Sequence, residues 1–437
     1  MERADIERLI LRARGLALFR GVLDAPVARD FLGLLGMLAG EKPVPGSVAD
    51  AFGRLWEGLA LDSGVLLPDA WQSYLAGRIM DDENPFSLGA ERGEPTPVLL
   101  EQARRDLGTL QALFELDART VLGLVEDAVP GLGIWVPWTA PGRNNEDSAR
   151  NALTRKLAAS EEWGACAELL ADHYARHGAG IFGPHRAFRW REGRLYPVTE
   201  PDPVSLVHLI GYEEEQEPLL KNTERFLSGL PAHHALLYGL PGTGKSSTVK
   251  ALLNEYAGAG LRLVEVAKED LGELPRVLAR LRGRGPRFLL FVDDLSFEEH
   301  EVEYKSLKAL LEGSVEEPPE NVRLYATSNR RNVVRESFSD RGELGDDVHA
   351  RDTMQEKLSL VARFGLRLTF PSPDQKRYLE IVRGLAQERG IGVPDEELTE
   401  RALLWDRWHA GRSGRTARQF VDELSGETVD APSRFGR

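Results

Sequence analysis

Apolar residues recur three and four positions apart along the first third of the chain. Ile6, Leu9, Ile10 and Ala13 fall on one helical face, and Phe31, Leu34, Leu35 and Leu38 on another. A third face, within residues 101–125, carries Leu107, Leu110, Leu113, Phe114 and Leu116. Pro43, Pro45 and Gly46 break the pattern once, and residues 81–97 read as a loop. Residues 1–130 are therefore expected to form a mostly α-helical N-terminal module. Residues 131–203 make a second region: a Pro- and Gly-rich patch, a helical piece at 147–177, an aromatic and basic strip at 188–197, and a linker with Pro197, Pro201 and Pro203.

From residue 204 the pattern changes. Five short apolar runs alternate with helical segments, at 235–238, 261–267, 288–293, 322–327 and 366–370. The run Phe288-Leu289-Leu290-Phe291-Val292 is apolar without interruption, as a strand buried on both faces must be. Strands alternating with helices predict an α/β fold, a five-stranded parallel sheet wrapped on both faces, over residues 204–371. Three helical segments at 374–388, 395–409 and 416–424 predict a small helical lid over residues 372–425, followed by a tail at 426–437.

Composition narrows the class. The 437 residues carry a net charge of −14, and residues 1–200 hold 29 acidic against 22 basic side chains. Neither part is basic, which disfavours a nucleic-acid partner held by bulk charge. The strip Phe188, Arg189, Trp190, Arg191, Arg194 and Tyr196 could stack bases. Its expected form is instead a hairpin turning at Glu192-Gly193, with its aromatics packed on a neighbouring domain. Cys166 is the only cysteine, and the longest apolar stretch, residues 31–39, is too short for a bilayer. With no signal-peptide pattern after Met1, a cytoplasmic protein with no membrane partner is expected. His173 and His177 stand four apart, but Tyr174 sits where a metalloprotease helix carries its acid; stacked or solvated histidines are expected rather than a zinc site.

The chemistry centres on Gly239-Leu240-Pro241-Gly242-Thr243-Gly244-Lys245-Ser246-Ser247, between the first strand and a helix. That is the G-x-x-x-x-G-K-[ST] phosphate loop in its strand–loop–helix setting. Gly239, Gly242 and Gly244 allow the tight backbone that aims successive N–H groups at phosphate oxygens. Lys245 is expected to reach the β- and γ-phosphates of ATP, and Ser246 to ligate Mg²⁺. The strand at 288–292 delivers Asp293-Asp294 to its carboxyl end. Asp293 is expected to hold Mg²⁺ through water, and Asp294 to polarise the attacking water. Asn329, after the fourth strand, is placed to orient that water. Arg363, ending the helix before the fifth strand, suits an arginine finger given in trans to a second subunit. Arg415, in Ser413-Gly414-Arg415, opens the last lid helix and could close on the γ-phosphate, with Arg418 the alternative one turn on.

These parts together resemble the AAA+ P-loop ATPase superfamily over residues 205–425. The strings Asp293-Asp294-Leu295-Ser296-Phe297-Glu298, Ala326-Thr327-Ser328-Asn329-Arg330-Arg331 and Ser413-Gly414-Arg415-Thr416-Ala417-Arg418-Gln419-Phe420 are similar to a bacterial AAA+ family catalogued only as a domain of unknown function. The resemblance implies ATP with Mg²⁺ as cofactors, a site between subunits, and a homo-oligomer, commonly a hexamer. It also implies that Ile210 and Gly211 cradle adenine. Arg363-Phe364-Gly365 is similar to the initiator and helicase-loader branch. Two features depart from the family: Asp294 stands where most members have Glu, and residues 268–272 lack an aromatic pore loop. Aspartate is one methylene shorter, and a misplacement of about 1 Å can cost about a hundredfold in rate.

The expected function is thus an ATP hydrolase that remodels an unidentified protein partner recruited through residues 1–200. A slowly hydrolysing nucleotide-gated switch and a DNA-acting loader are the alternatives.

Overall fold

The computed structural model describes residues 2–62, 66–93, 95–131, 136–139, 148–295, 307–308, 310–311, 317–329, 360–409 and 411–429. The chain divides into two compact units. One is Met1–His185 with Gly283–Pro286; the other is Arg186–Arg282 with Arg287–Arg437.

The first unit is helical. Proline at the first turn opens four of its helices: Pro26–Leu38, Pro45–Leu61, Pro85–Glu91 and Pro97–Phe114. A proline there loses no intrahelical bond, because that N–H has no partner in any helix. The helix Pro85–Glu91 lies where the sequence reads as a loop. Asn84 caps it by accepting from the N–H groups of Phe86 and Ser87, while Ser87 Oγ accepts from Asn84 N, a capping box. The predicted segment 101–125 is two helices, because Asp117 starts a new one, Ala118–Ala128, by accepting from Thr120 N. All four residues of the Phe31 face are buried, and Phe31 stacks on Trp71 at 3.6 Å between ring centres. Asp106, on the helix Pro97–Phe114, accepts from the N–H groups of Ala17, Leu18 and Phe19 and fixes the turn after the first helix. His173 and His177 lie ring to ring at 4.8 Å, and no cluster of metal-ligating side chains occurs among the described residues.

The second unit is a seven-stranded sheet with helices around it. The strands are β1 (Ala187–Arg191), β2 (Arg194–Val198), β3 (Ala235–Gly239), β4 (Leu261–Glu265), β5 (Arg287–Val292), β6 (Val322–Ser328) and β7 (Leu366–Phe370). Their order is β2-β1-β4-β5-β6-β3-β7. The five expected strands form the parallel part, with β3 between β6 and β7. The other two are the hairpin. It turns at Glu192-Gly193 as the sequence predicts, but β1 adds in parallel to β4 and extends this same sheet. Arg189 pairs with Glu265 at 2.8 Å, and Trp190 Nε1 donates to Glu273 at 2.7 Å. Phe188 and Trp190 are therefore buried and are not free to stack on bases.

The helices of this unit are α1 (Glu213–Leu227), α2 (Lys245–Tyr256), α3 (Leu274–Leu281), α4 (Gln375–Glu388), α5 (Asp395–Trp408) and α6 (Gly414–Val429). The last three form the lid, whose apolar faces meet through Tyr378, Ile381, Leu385, Ala402, Phe420 and Val421. No helix among the described residues is long and apolar enough to cross a membrane. The segment 330–359 falls outside the described residues.

Candidate functional site

Strand β3 ends in the glycine turn, and α2 begins directly after it. Gly242 and Gly244 have φ of +80° and +90°, a region that L side chains rarely adopt. Gly239 is needed for space: a Cβ there would lie 2.1 Å from the carbonyl oxygen of Phe370 on β7. The turn thus leaves the amino end of α2 open, with its free N–H groups and positive dipole end.

Lys245 is buried, and its Nζ donates to the carbonyls of Gly239 (2.8 Å) and Leu240 (2.9 Å) and to Asn329 Oδ1 (3.1 Å). Burial lowers its pKa to about 8, against the pull of Asp293 and Asp294 and with the repulsion of Arg415. Among the described residues no carboxylate is bonded to the ammonium. A buried cation held by neutral oxygens at the mouth of a helix fits an anionic ligand.

Asn329 is the next link. With its carbonyl turned to Lys245, its Nδ2 donates to Asp294 Oδ1 at 2.6 Å. Lys268, just after β4, reaches Asp294 Oδ2 at 3.4 Å. Asp294 has φ of +53°, uncommon for a residue other than glycine. Thr327 holds it there by accepting from Asp294 N at 2.8 Å, and also donates to Asp293 Oδ1 at 2.6 Å. Ser246 Oγ donates to that same Asp293 oxygen at 2.6 Å. A hydroxyl and a carboxylate in contact, at the carboxyl end of a parallel strand, make a donor set suited to a hard divalent cation.

Beside the loop lies a cavity of about 200 Å³. One wall is the entry to α1, with His208, Leu209, Ile210, Tyr212 and Gln216; another is the lid, with Ile381 and Leu385 of α4 and Arg415 and Arg418 of α6. Gly242, Thr243, Gly244 and Ser247 connect it to the phosphate loop. Ile210 packs so closely on Gly384 that a Cβ there would meet it at 2.0 Å. The lid is fastened beside the cavity by Arg377, which pairs with Glu215 at 2.7 Å and lies over the Tyr212 ring at 4.9 Å. Gly211, with φ of +81°, sits against the same arginine.

The structure therefore groups Lys245, Ser246, Asp293, Asp294 and Asn329 in one bonded cluster. It places Ile210, Thr243, Ser247 and Arg415 around the adjoining cavity, and Arg418 lines that cavity too. Gly211 and Pro241 flank these groups without lining the cavity. Arg363 is apart: its N–H bonds to Leu360 O at the turn into β7, and it does not line the cavity. Thr327 and Lys268 were missed by sequence reasoning. Thr327 lies in β6 two residues before Asn329, and that proximity was a usable signal. Lys268 carried none.

Residues 183–428, more than half of the chain, match the model of the family described as "Protein of unknown function (DUF815)". Among curated proteins, the proteasome-activating nucleotidase of Aeropyrum pernix is 26% identical over 220 residues, covering 47% of this chain and 48% of that protein. The proteasome-activating nucleotidase of Saccharolobus solfataricus is 27% identical over 162 residues, covering 31% and 41%. The chain spans about half the length of the curated relatives it matches, or less. Among solved structures, the RuvB Holliday junction branch migration motor of Thermotoga maritima aligns with 54% of this chain and 68% of its own, at 20% identity and a TM-score of 0.36.

Proposed function

From a chain that belongs to the DUF815 family of AAA+ P-loop ATPases, we propose an enzyme that hydrolyses Mg-ATP at the boundary between two of its own subunits and uses the cycle to remodel a protein partner. The observation that carries this reading is the Lys245–Asn329–Asp294 chain of hydrogen bonds, with the Ser246–Asp293 pair beside it.

Each residue has a part. The glycine turn and Lys245 bind the phosphates, and Ser246 and Asp293 would hold Mg²⁺, Asp293 through water; when bound, the metal would supply neutralisation of phosphate charge. Asp294, steered by Asn329, orients a water and draws off its proton while the water oxygen bonds to the γ-phosphorus. The bond from that phosphorus to the bridging oxygen breaks, giving ADP and phosphate. Arg415 closes from the lid, and Arg363 reaches the γ-phosphate of a neighbouring subunit. Oligomerisation is thus part of the site, with a hexamer the expected form. Residues 1–200 recruit the partner.

The test measures nucleotide affinity beside steady-state turnover. The unaltered chain should turn over at about 1 s⁻¹ or faster, within the ordinary enzyme range. Lys245→Ala should lose binding. Asp294→Asn should keep ATP and retain the partner on purification from cells. Turnover far below that rate would favour the second reading, a nucleotide-gated switch. That reading is supported by Asp294 itself, a short acid whose two oxygens are both engaged, by Asn329 and Lys268. The DNA-loader reading has less support, since two of the strip's aromatics are buried.

A further inference from the structure

We propose that Gln216 determines which purine base the cavity accepts, selecting a 6-amino purine over a 6-keto purine. The inference rests on the nucleotide reading of the site above and adds a base-specific contact to it.

Gln216 lies in the first turns of α1 and is only 4% exposed, yet it lines the cavity. Leu209, Ile210, Ile381 and Leu385 supply the apolar part of the wall. Such a slot accepts any planar ring and does not discriminate between bases by itself. Discrimination needs a polar group whose hydrogen-bonding capacity is not already used.

For an exocyclic amine that group must be an acceptor; Arg415 and Arg418 on the lid wall carry donors only, and three other polar neighbours are committed. Tyr212 donates its hydroxyl to Pro371 O at 2.9 Å, and burial raises its pKa to about 12, so it stays protonated and committed. His208 accepts from Ser205 N through Nδ1 and faces Glu388 through Nε2 at 3.3 Å. Thr243 donates to Leu240 O.

Gln216 differs. Its Nε2 donates to the carbonyl of Leu209 at 3.3 Å. A carbonyl can only accept, so it fixes which end of the amide faces it. The other end, Oε1, is then an uncommitted acceptor on a residue that lines the cavity. An acceptor in that position bonds the exocyclic amine of adenine and opposes the 6-oxo group of hypoxanthine or guanine. Two acceptors face to face leave both unsatisfied out of water, which lowers affinity by roughly ten- to a hundredfold.

ATP and ITP differ only at the 6-position and the adjoining N1 proton, which makes them the matched pair of probes. Binding of Mg-ATP and Mg-ITP to the full chain would be measured by calorimetry. The unaltered protein should prefer ATP by about tenfold or more. Gln216→Leu should bring the two within a few-fold of one another, by weakening ATP and leaving ITP unchanged or tighter. Gln216→Met, closer in length, should do the same, and a melting temperature without nucleotide shows that each variant is folded. An unaltered chain that binds ATP and ITP equally would overturn the proposal, as would a folded variant that keeps the full preference. An unaltered chain that binds neither nucleotide would overturn the nucleotide reading, and this inference with it.

Discussion

The Nδ2 of Asn329 donates to the Oδ1 of Asp294 at 2.6 Å, and the amide that does so also accepts from Lys245. One side chain thus sets the direction of the acid by reference to the phosphate-binding lysine. Asn329→Ala should therefore leave ATP affinity within a few-fold and lower turnover on the order of a hundredfold or more, the scale for removal of a positioned polar group. Lys268 holds the opposite oxygen at 3.4 Å, but its side chain is 31% and that of Asp294 55% exposed. Lys268→Ala should cost only a few-fold, and the difference should vanish at about 0.5 M salt. Single-turnover hydrolysis at two salt concentrations separates these effects. Equal losses for both variants would contradict the assignment.

Arg363 precedes the amino end of β7, which pairs with the amino end of β3, opposite the phosphate loop, so its proposed role requires a second copy. Arg363→Ala should keep ATP binding and lose roughly 10³-fold or more in turnover. The two inactive variants Arg363→Ala and Asp294→Asn should regain activity when mixed, because some interfaces then pair an intact acid with an intact arginine. A mixture no more active than its parts rules out the in-trans role.

Much of this was legible in the sequence. The parallel strands were visible because a strand buried on both faces must be continuously apolar, as β5 is, and because the loop after β3 needs its glycines. Two things were hidden. The hairpin at 187–198 alternates aromatic and basic residues, a pattern that suits a free hairpin and a sheet edge equally; only the pairing of β1 with β4, far along the chain, distinguishes them. The helix Pro85–Glu91 reads as a loop in the sequence because Asn84 and Pro85 are turn residues as well as helix starters. In the site, residues adjacent to the loop were predicted. Contacts made across the fold, such as Lys268 to Asp294 and Gln216 to the cavity, had no local signature.

At the entry to β3, His234 Nδ1 accepts from Leu324 N at 2.9 Å, which joins β3 to β6. Burial, with repulsion from Arg323 and His233, pushes its pKa down to about 4. The unfolded chain takes up this proton near pH 6.5, whereas the folded chain resists until about pH 4. Stability should therefore fall as pH drops through that window, by an amount on the order of 1–3 kcal/mol from this group. His234→Gln keeps an acceptor but cannot be protonated, so it should flatten the acid limb. Denaturant unfolding at several pH values between 4 and 7 checks this; parallel curves for the two proteins would rule it out.

Lys245 is expected to make nucleotide binding depend on pH at the opposite end. Its pKa of about 8 reflects burial, which outweighs the pull of Asp293 and Asp294. Phosphate oxygens would stabilise the ammonium and raise that value, so at pH 8 binding should draw a fraction of a proton from solution. Affinity should be flat near pH 7 and weaken as pH rises past 8. Without nucleotide the sign for folding is reversed. Between pH 8 and 10.5 the unfolded chain carries more of this proton, so the group's contribution to stability rises with pH across that range. Calorimetric titrations at pH 8 in buffers of different ionisation enthalpy measure the proton uptake directly. Lys245→Arg, charged throughout, should abolish the uptake even where its different shape weakens binding. If the unaltered protein takes up no proton at pH 8, the phosphates do not meet this lysine, and the loop would not bind the nucleotide as proposed.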